Sequence, residues 1–392
     1  MIIDRMNTTE AALSDALNQT GFPFEHHVFR TMTAHGWRAR SSRLYVDGEE
    51  GKTREMDLLC YRITKGKEVT TCTALIISCK ARHQKPWVLL TRPWPDRSQG
   101  WLEYPPVPVW SNSDAVSYET GRGSWGLDYF NLAEATGLRS WAADSPGEVF
   151  ALQEFEAVKS HPHGKKVEAA PKFNAKGDSS LYEGAMSLLK ALAYEAAAVD
   201  ERRKISKQKF VYQFNLLQLL DGDLYEASFS QNPPTVAKVE RYRYFARTML
   251  AGKDFSSRIE FCTKAALPGL CDELAKLHEY NCHHFDSRAT LFYRDLLSSP
   301  ERIDALLPEF EAGLGPLYRL YTKIDEQSTG WIRVRWEDAE SQLKIVVVDG
   351  REVVPRLNGV PSFMSFLKRV VKRVFRYDGP IVLVDDYDDI PF

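Results

Sequence analysis

Residues Arg54–Lys80 read REMDLLCYRITKGKEVTTCTALIISCK. Two apolar runs flank a polar turn at Thr64–Thr70 that contains Gly66. In a period-two reading, Glu55, Asp57, Leu59 and Tyr61 share one face of the first run, and Met56, Leu58 and Cys60 the other. The second run, Thr73–Lys80, places Ile76, Ser78 and Lys80 on one face and Leu75, Ile77 and Cys79 on the other. Strands this apolar belong in the middle of a sheet covered on both sides. A charge at the end of such a strand is costly to desolvate unless it has a partner or a task. Asp57 and Lys80 both occupy that position. The expectation is that they meet in a small polar site at the end of a buried sheet.

Upstream, Thr8–Gln19 has the composition of a short helix, and Thr20-Gly21-Phe22-Pro23 interrupts it. Pro23 suits the first turn of a second helix and Gly36 its stop. Glu25, Val28, Phe29 and Met32 then fall at i, i+3, i+4 and i+7, which puts a carboxylate on the apolar stripe. Helix-dipole stabilisation would explain Glu25 equally well. His26 and His27 fall on other faces. Trp37–Val46, with Arg38, Arg40 and Arg43, reads as a first strand, and Asp47–Gly51 as a turn.

Downstream the pattern changes. Residues 81–178 contain Pro86, Pro93, Pro95, Pro105, Pro106 and Pro108 and six tryptophans. Here Arg82, Lys85, Arg92 and Arg97 alternate with Trp87 and Trp94. Such interleaving suits nucleic-acid backbones and stacked bases, although tryptophans packed on one another would give the same composition. Short helices are expected at Leu127–Leu138 and Gly147–Lys159, and a polar loop at His161–Asp178. Ser179–Glu201 has a wide apolar stripe and reads as a long helix. Phe210–Leu220 reads as a strand, Asp221-Gly222-Asp223 as a hairpin turn, Val236–Leu250 as strand and Pro268–Tyr280 as helix. His278, Cys282, His283 and His284 cluster in sequence, but no second ligand pair stands at a zinc-finger spacing. Glu301–Tyr321 suits a helix, and Gly330–Trp336 and Gln342–Asp349 suit strands. Met364–Tyr377 is a basic amphipathic helix suited to an acidic partner or to docking one face while solvating the other. The acidic tail Asp385–Phe392 could cover it.

Length and composition bound these readings. With 392 residues, 44% hydrophobic and 27% charged, the chain has the balance of one large domain with additions, or of two to three domains. Its net charge of −2 leaves no overall polyanion-binding signature, so nucleic-acid contact requires local basic patches such as Arg54, Arg82, Lys85 and Trp87. The six cysteines form no CxxC pair and read as small buried hydrophobes, which suits a reducing cytoplasm. No secretory leader and no apolar run near the ~20 residues of a membrane span is evident.

The order helix with Glu25, strand, strand with Asp57, strand with Lys80, long helix, apolar strand resembles the core of the PD-(D/E)XK nuclease superfamily. That superfamily includes type II restriction enzymes, Holliday-junction resolvases and Mrr-like defence nucleases. The resemblance implies an α/β fold in which a restriction-endonuclease-like mixed sheet is flanked by helices. The core would comprise 1–85 and 179–235, with a Trp/Pro-rich insertion at 86–178 and a C-terminal α+β extension at 236–392. It also implies a Mg²⁺- or Mn²⁺-dependent endonuclease acting on DNA in a bacterial restriction or anti-phage system. Glu25 and Asp57 would be the metal ligands and Lys80 the catalytic lysine. One position departs: the acidic residue expected two before the lysine is Ser78, which cannot replace the missing charge.

Three readings follow. The first is the metal-dependent endonuclease. The second is a degenerate member that binds nucleic acid or a protein, including a second copy of itself, without cutting. The third is a scaffold subunit that docks an effector through its C-terminal basic helix.

Overall fold

The computed structural model describes residues 2–48, 50–94, 107–142, 147–158, 172–177, 179–250, 252–322, 331–348 and 350–386. Helices α1 (Ile2–Asn18) and α2 (Phe22–Ala34) lead into strands β1 (Arg38–Val46), β2 (Thr53–Lys65) and β3 (Thr70–Arg92). Pro23 occupies the first turn of α2, and Phe24, Val28 and Met32 are its buried residues. Gly36 ends the helix with φ 78°, and Arg62 packs where a side chain would stand. A non-glycine residue there would meet both a left-handed backbone and that guanidinium. β4 (Val109–Ser111), α3 (Asp114–Thr120), α4 (Trp125–Ala133) and α5 (Arg139–Ala142) follow, then β5 (Glu148–Ala157), β6 (Phe173–Gly177) and α6 (Ser179–Arg203). After them come β7 (Phe210–Ser228), β8 (Thr235–Val239), β9 (Arg241–Leu250), β10 (Lys253–Thr263) and α7 (Leu267–Arg294). The remaining elements are α8 (Pro300–Ala305), α9 (Leu307–Thr322), β11 (Ile332–Glu337), β12 (Gln342–Val347), α10 (Val353–Asn358), α11 (Pro361–Phe375) and β13 (Ile381–Asp385).

Two units divide the chain, one comprising 1–66, 70–110 and 123–283, the other 67–69, 111–122 and 284–392. The first holds a large open mixed sheet ordered β1-β2-β3-β7-β10-β9, with β5 paired to β3 and β8 to β7. β1, β2 and β3 are antiparallel neighbours, and β3 runs parallel to β7. α6 covers one face, burying Leu181, Ala185, Leu188, Leu189 and Leu192 against Leu59, Ile76, Phe214 and Leu216. Each buried leucine contributes about 2 kcal/mol. α2 and α7 cover the other face, where Cys271 of α7 meets Met32 of α2. The protein is thus mixed α/β, with an open sheet flanked by helices.

Several expectations change. The stretch Asp221-Gly222-Asp223 is not a hairpin turn, because β7 continues through it in parallel pairing with β3. β3 itself runs past the expected boundary at residue 86, with a bulge between Arg82 and Trp87. The stretch expected as a helix at Gly147–Lys159 is mainly the strand β5. There a period-two pattern, with Leu152 and Glu154 inward, competes successfully with helical spacing. Residues 87–92 and 148–157 therefore extend the main sheet rather than forming a separate insertion, and residues 236–283 belong to the first unit, the C-terminal part of the second being 284–392.

In the second unit, β11 pairs antiparallel and β13 parallel with β12. α11 buries Phe363, Leu367, Val370, Val371, Val374 and Phe375, and leaves Lys368, Arg369 and Lys372 exposed. It docks one face and solvates the other. Residues 387–392 of the acidic tail lie outside the described residues.

Candidate active site

The site forms where the strand ladder is interrupted. β1 and β2 pair at Arg43–Met56 and at Ser41–Leu58, but not at the intervening Ser42–Asp57. Ser42 adopts a left-handed backbone, φ 51°. The reversal changes which residues share a face. Arg38 and Arg40 lie on the α6 side before it. After it, Arg43 reaches Glu195 of α6 at 2.8 Å, and Tyr45 donates to the Ser187 carbonyl at 3.3 Å. On β2, Met56 therefore joins Leu59 in the core beneath α6. The strict alternation expected for Glu55–Tyr61 does not hold, because alternation requires an uninterrupted pleat.

Asp57 turns toward the α2 side at this break. The β2–β3 ladder ends at Leu58–Ile77. Beyond it, the Cys79 amide donates to Asp57 Oδ2 at 2.6 Å, so a carboxylate substitutes for a backbone acceptor. Glu25 approaches from the first turn of α2. Its carboxyl is held above its ordinary proton affinity, first by burial, then by the charges of Asp57 and Glu55, with Lys80 opposing them. The Cys79 thiol, pushed up mainly by burial, also feels Asp57, Glu25 and Lys80. Glu25, Asp57 and Lys80 are thus gathered at one end of the sheet, with Glu55 as a further carboxylate that the site acquires. No ion pair joins Asp57 to Lys80. The Glu25, Glu55 and Lys80 side chains make no hydrogen bond or ion pair among the described residues. A purely structural ion pair does not account for these charges.

Ser78 stands apart. It is buried, and its Oγ lies 3.3 Å from Nε2 of Gln218 on β7. Gln218 sits beneath α6 at Gly184, where a Cβ would come within 2.6 Å of the amide oxygen. The Ser78 hydroxyl is therefore engaged by Gln218 on the α6 side.

The residues expected to contact nucleic acid are differently employed. Trp87 is fully buried, donates to Glu154 at 3.2 Å and packs edge-on against Phe261, so it is a core residue and not a stacking platform. Arg54 is spent on Asp47 and Glu50, at 2.7 Å each, in a cluster that Lys190 of α6 completes. Lys85 lies 3.8 Å from Glu154. The Arg82 side chain lies outside the described residues.

Among the described residues, no three His, Cys, Asp or Glu side chains stand where they could jointly hold a metal ion. The donor chemistry nevertheless fits a hard cation bound through two carboxylates and water, as Mg²⁺ commonly is. Glu25 and Asp57 repel one another where both are partly buried, and a divalent cation would relieve that repulsion. The His278–Cys282 pair is no zinc site: Thr73 and Thr64 engage the His278 nitrogens at 3.0 and 2.9 Å. No helix among the described residues is long and apolar enough to cross a membrane. No protein-family model, curated protein or solved structure matches the chain.

Proposed function

We propose that Glu25, Asp57 and Lys80 form the site of a metal-dependent endonuclease with a PD-(D/E)XK-like core, hydrolysing phosphodiester bonds in DNA. The observation that carries this reading is the convergence, at an interruption of the sheet, of partly desolvated, mutually repelling carboxylates and a lysine that has no ion pair among the described residues. The strand order supports it: β1, β2 and β3 antiparallel, a crossover through α6, then β7 parallel to β3.

The chemistry divides among the side chains. Glu25 and Asp57 would hold Mg²⁺ or Mn²⁺, and that cation, when bound, supplies positive charge and a more acidic water. The Cys79 amide fixes the direction of the Asp57 carboxylate. Burial and the neighbouring carboxylates raise the proton affinity of Glu25, and a bound cation would lower it. Lys80 stabilises the charge developing on the phosphate oxygens. A restriction or anti-phage role would suit such an activity.

Plasmid cleavage in millimolar Mg²⁺ tests the assignment. Asp57→Ala and Lys80→Ala should each lower the rate by about 10²-fold or more. Undiminished cleavage by both variants would overturn it. The engagement of Ser78 by Gln218 favours a second reading, a non-cutting member that binds nucleic acid or protein. In that case the wild type would show no heat of Mg²⁺ binding in calorimetry.

A further inference from the structure

On the face of the sheet opposite Glu25 and Asp57 lies a cavity of about 270 Å³. That volume is near the lower end of small-molecule sites, roughly 300–1,000 Å³. Five arginines line it: Arg38, Arg40 and Arg43 from β1, and Arg202 and Arg203 from the last turn of α6. The left-handed Ser42 is what brings Arg43 onto the same face as Arg38 and Arg40. Among the described residues of the lining Glu195 is the only carboxylate, and it is occupied by Arg43 at 2.8 Å and Arg202 at 3.5 Å. Arg38 and Arg40 make no ion pair among the described residues. Like charges brought together on neighbouring elements repel unless something compensates them. In a chain whose net charge is −2, this concentration of positive charge calls for an anionic occupant.

The cavity also has an aromatic side. Tyr61 and Tyr212 are half-buried in its wall, and Leu59, Ala74 and Phe214 form an apolar floor. Arg40 lies over the Tyr61 ring at 5.9 Å, and the Arg203 Nε–H donates to the Tyr212 hydroxyl at 3.4 Å. Guanidinium forks match phosphate oxygens, and tyrosine faces match a planar ring. We infer that this cavity binds a nucleoside phosphate, its phosphate on Arg38 and Arg40 and its base against Tyr61 and Tyr212. The site is independent of the hydrolytic reading, because it shares no residue with Glu25, Asp57 and Lys80.

The ligand is either a free nucleotide or the 5′-terminal nucleotide of a strand. Calorimetric titration of the full chain with ADP, GDP, CDP and UDP, with inorganic pyrophosphate, and with a 5′-phosphorylated oligonucleotide separates these sources. At least one nucleoside diphosphate should bind more tightly than pyrophosphate. If only the oligonucleotide binds, the occupant is the strand end. The double variant Arg38→Ala/Arg40→Ala should weaken the bound nucleotide by about tenfold or more. Tyr61→Leu should weaken the nucleotide but not pyrophosphate. Neither change touches the buried core, and the circular-dichroism melt of each variant checks that the fold persists. The inference is overturned if neither nucleotides nor oligonucleotide bind, if pyrophosphate binds as tightly as the nucleotides, or if both variants bind like the wild type.

Discussion

On the α2 side Glu25, Asp57 and Glu55 feel one another's charge, with that of Lys80 opposing; on the α6 side Arg38, Arg40 and Arg43 of β1 face Glu195, Arg202 and Arg203 of α6. A single reversal, at Ser42 and Asp57, feeds both sets. It turns Asp57 toward Glu25 and, by the same rotation, turns Arg43 toward Arg38 and Arg40. The two faces should respond to different variables. Carboxylates titrate and attract divalent cations, so under the proposed reading the α2 face should respond to pH and metal. Guanidiniums remain charged at all working pH values, so the α6 face responds to anions and to salt.

The largest effect that separates the faces lies at the far end of the α2 side. His278 of α7 is buried beside Thr73, Thr64 and the Trp37 ring. Its pKa is lowered from 6.5 to about 4, by burial first and by Arg62 second. The unfolded chain therefore takes up a proton below 6.5, whereas the folded protein does so only below about 4. Stability is fully present above that window and is lost as pH falls through it, by about 3 kcal/mol from this group. Urea titrations between these pH values should show the loss for the wild type. His278→Gln, whose amide can still meet Thr73, should abolish this group's share of the slope. An equal slope in both proteins would show that His278 is not held neutral.

Ser42 is the joint between the faces. A left-handed conformation is tolerable for serine but strained for a β-branched side chain. Ser42→Val should cost about 2 kcal/mol in urea unfolding, and Ser42→Gly should cost little or nothing. If the valine variant is as stable as the wild type, the reversal is not what organises the two faces.

Much of the polar site was legible in the sequence. Asp57 and Lys80 stood at the ends of apolar runs, and Glu25 stood on an apolar stripe, because burying charge is costly enough to make its position informative. The long helix α6 followed from its leucine stripe. The reversal was less visible, although RARSSRLYV carries a trace of it. Arginines at 38 and 40 are followed by Arg43 and Tyr45, a change from even to odd positions that regular alternation cannot accommodate. Trp87 shows the opposite difficulty. Its neighbours Arg82 and Lys85 suggest an exposed aromatic, but long-range pairing of β3 with β7 and β5 decides its burial, and local composition does not encode that pairing. The β7 hairpin failed for the same reason: Asp-Gly-Asp carries turn chemistry, yet a parallel neighbour on β3 keeps the strand extended.

Glu25 gives the smallest effect and the most direct comparison of metal and proton on the acidic face. Because its carboxyl binds a proton more readily in the folded protein than in the unfolded chain, its ionisation works against folding. Stability falls as pH rises through the range where Glu25 ionises, and remains lowered at neutral pH. Glu25→Gln removes the charge while keeping the shape. Without divalent cation, the variant should be the more stable of the two at neutral pH, and the advantage should vanish in acid, where the wild-type carboxyl is protonated in both states. Millimolar Mg²⁺ should then stabilise the wild type by mass action and leave the variant little changed. Thermal melts of the two proteins, with and without Mg²⁺, read both terms. A variant no more stable than the wild type at neutral pH would mean that Glu25 is not pressed against Asp57. The contrast between an acidic and a basic face would then rest on the arginines alone.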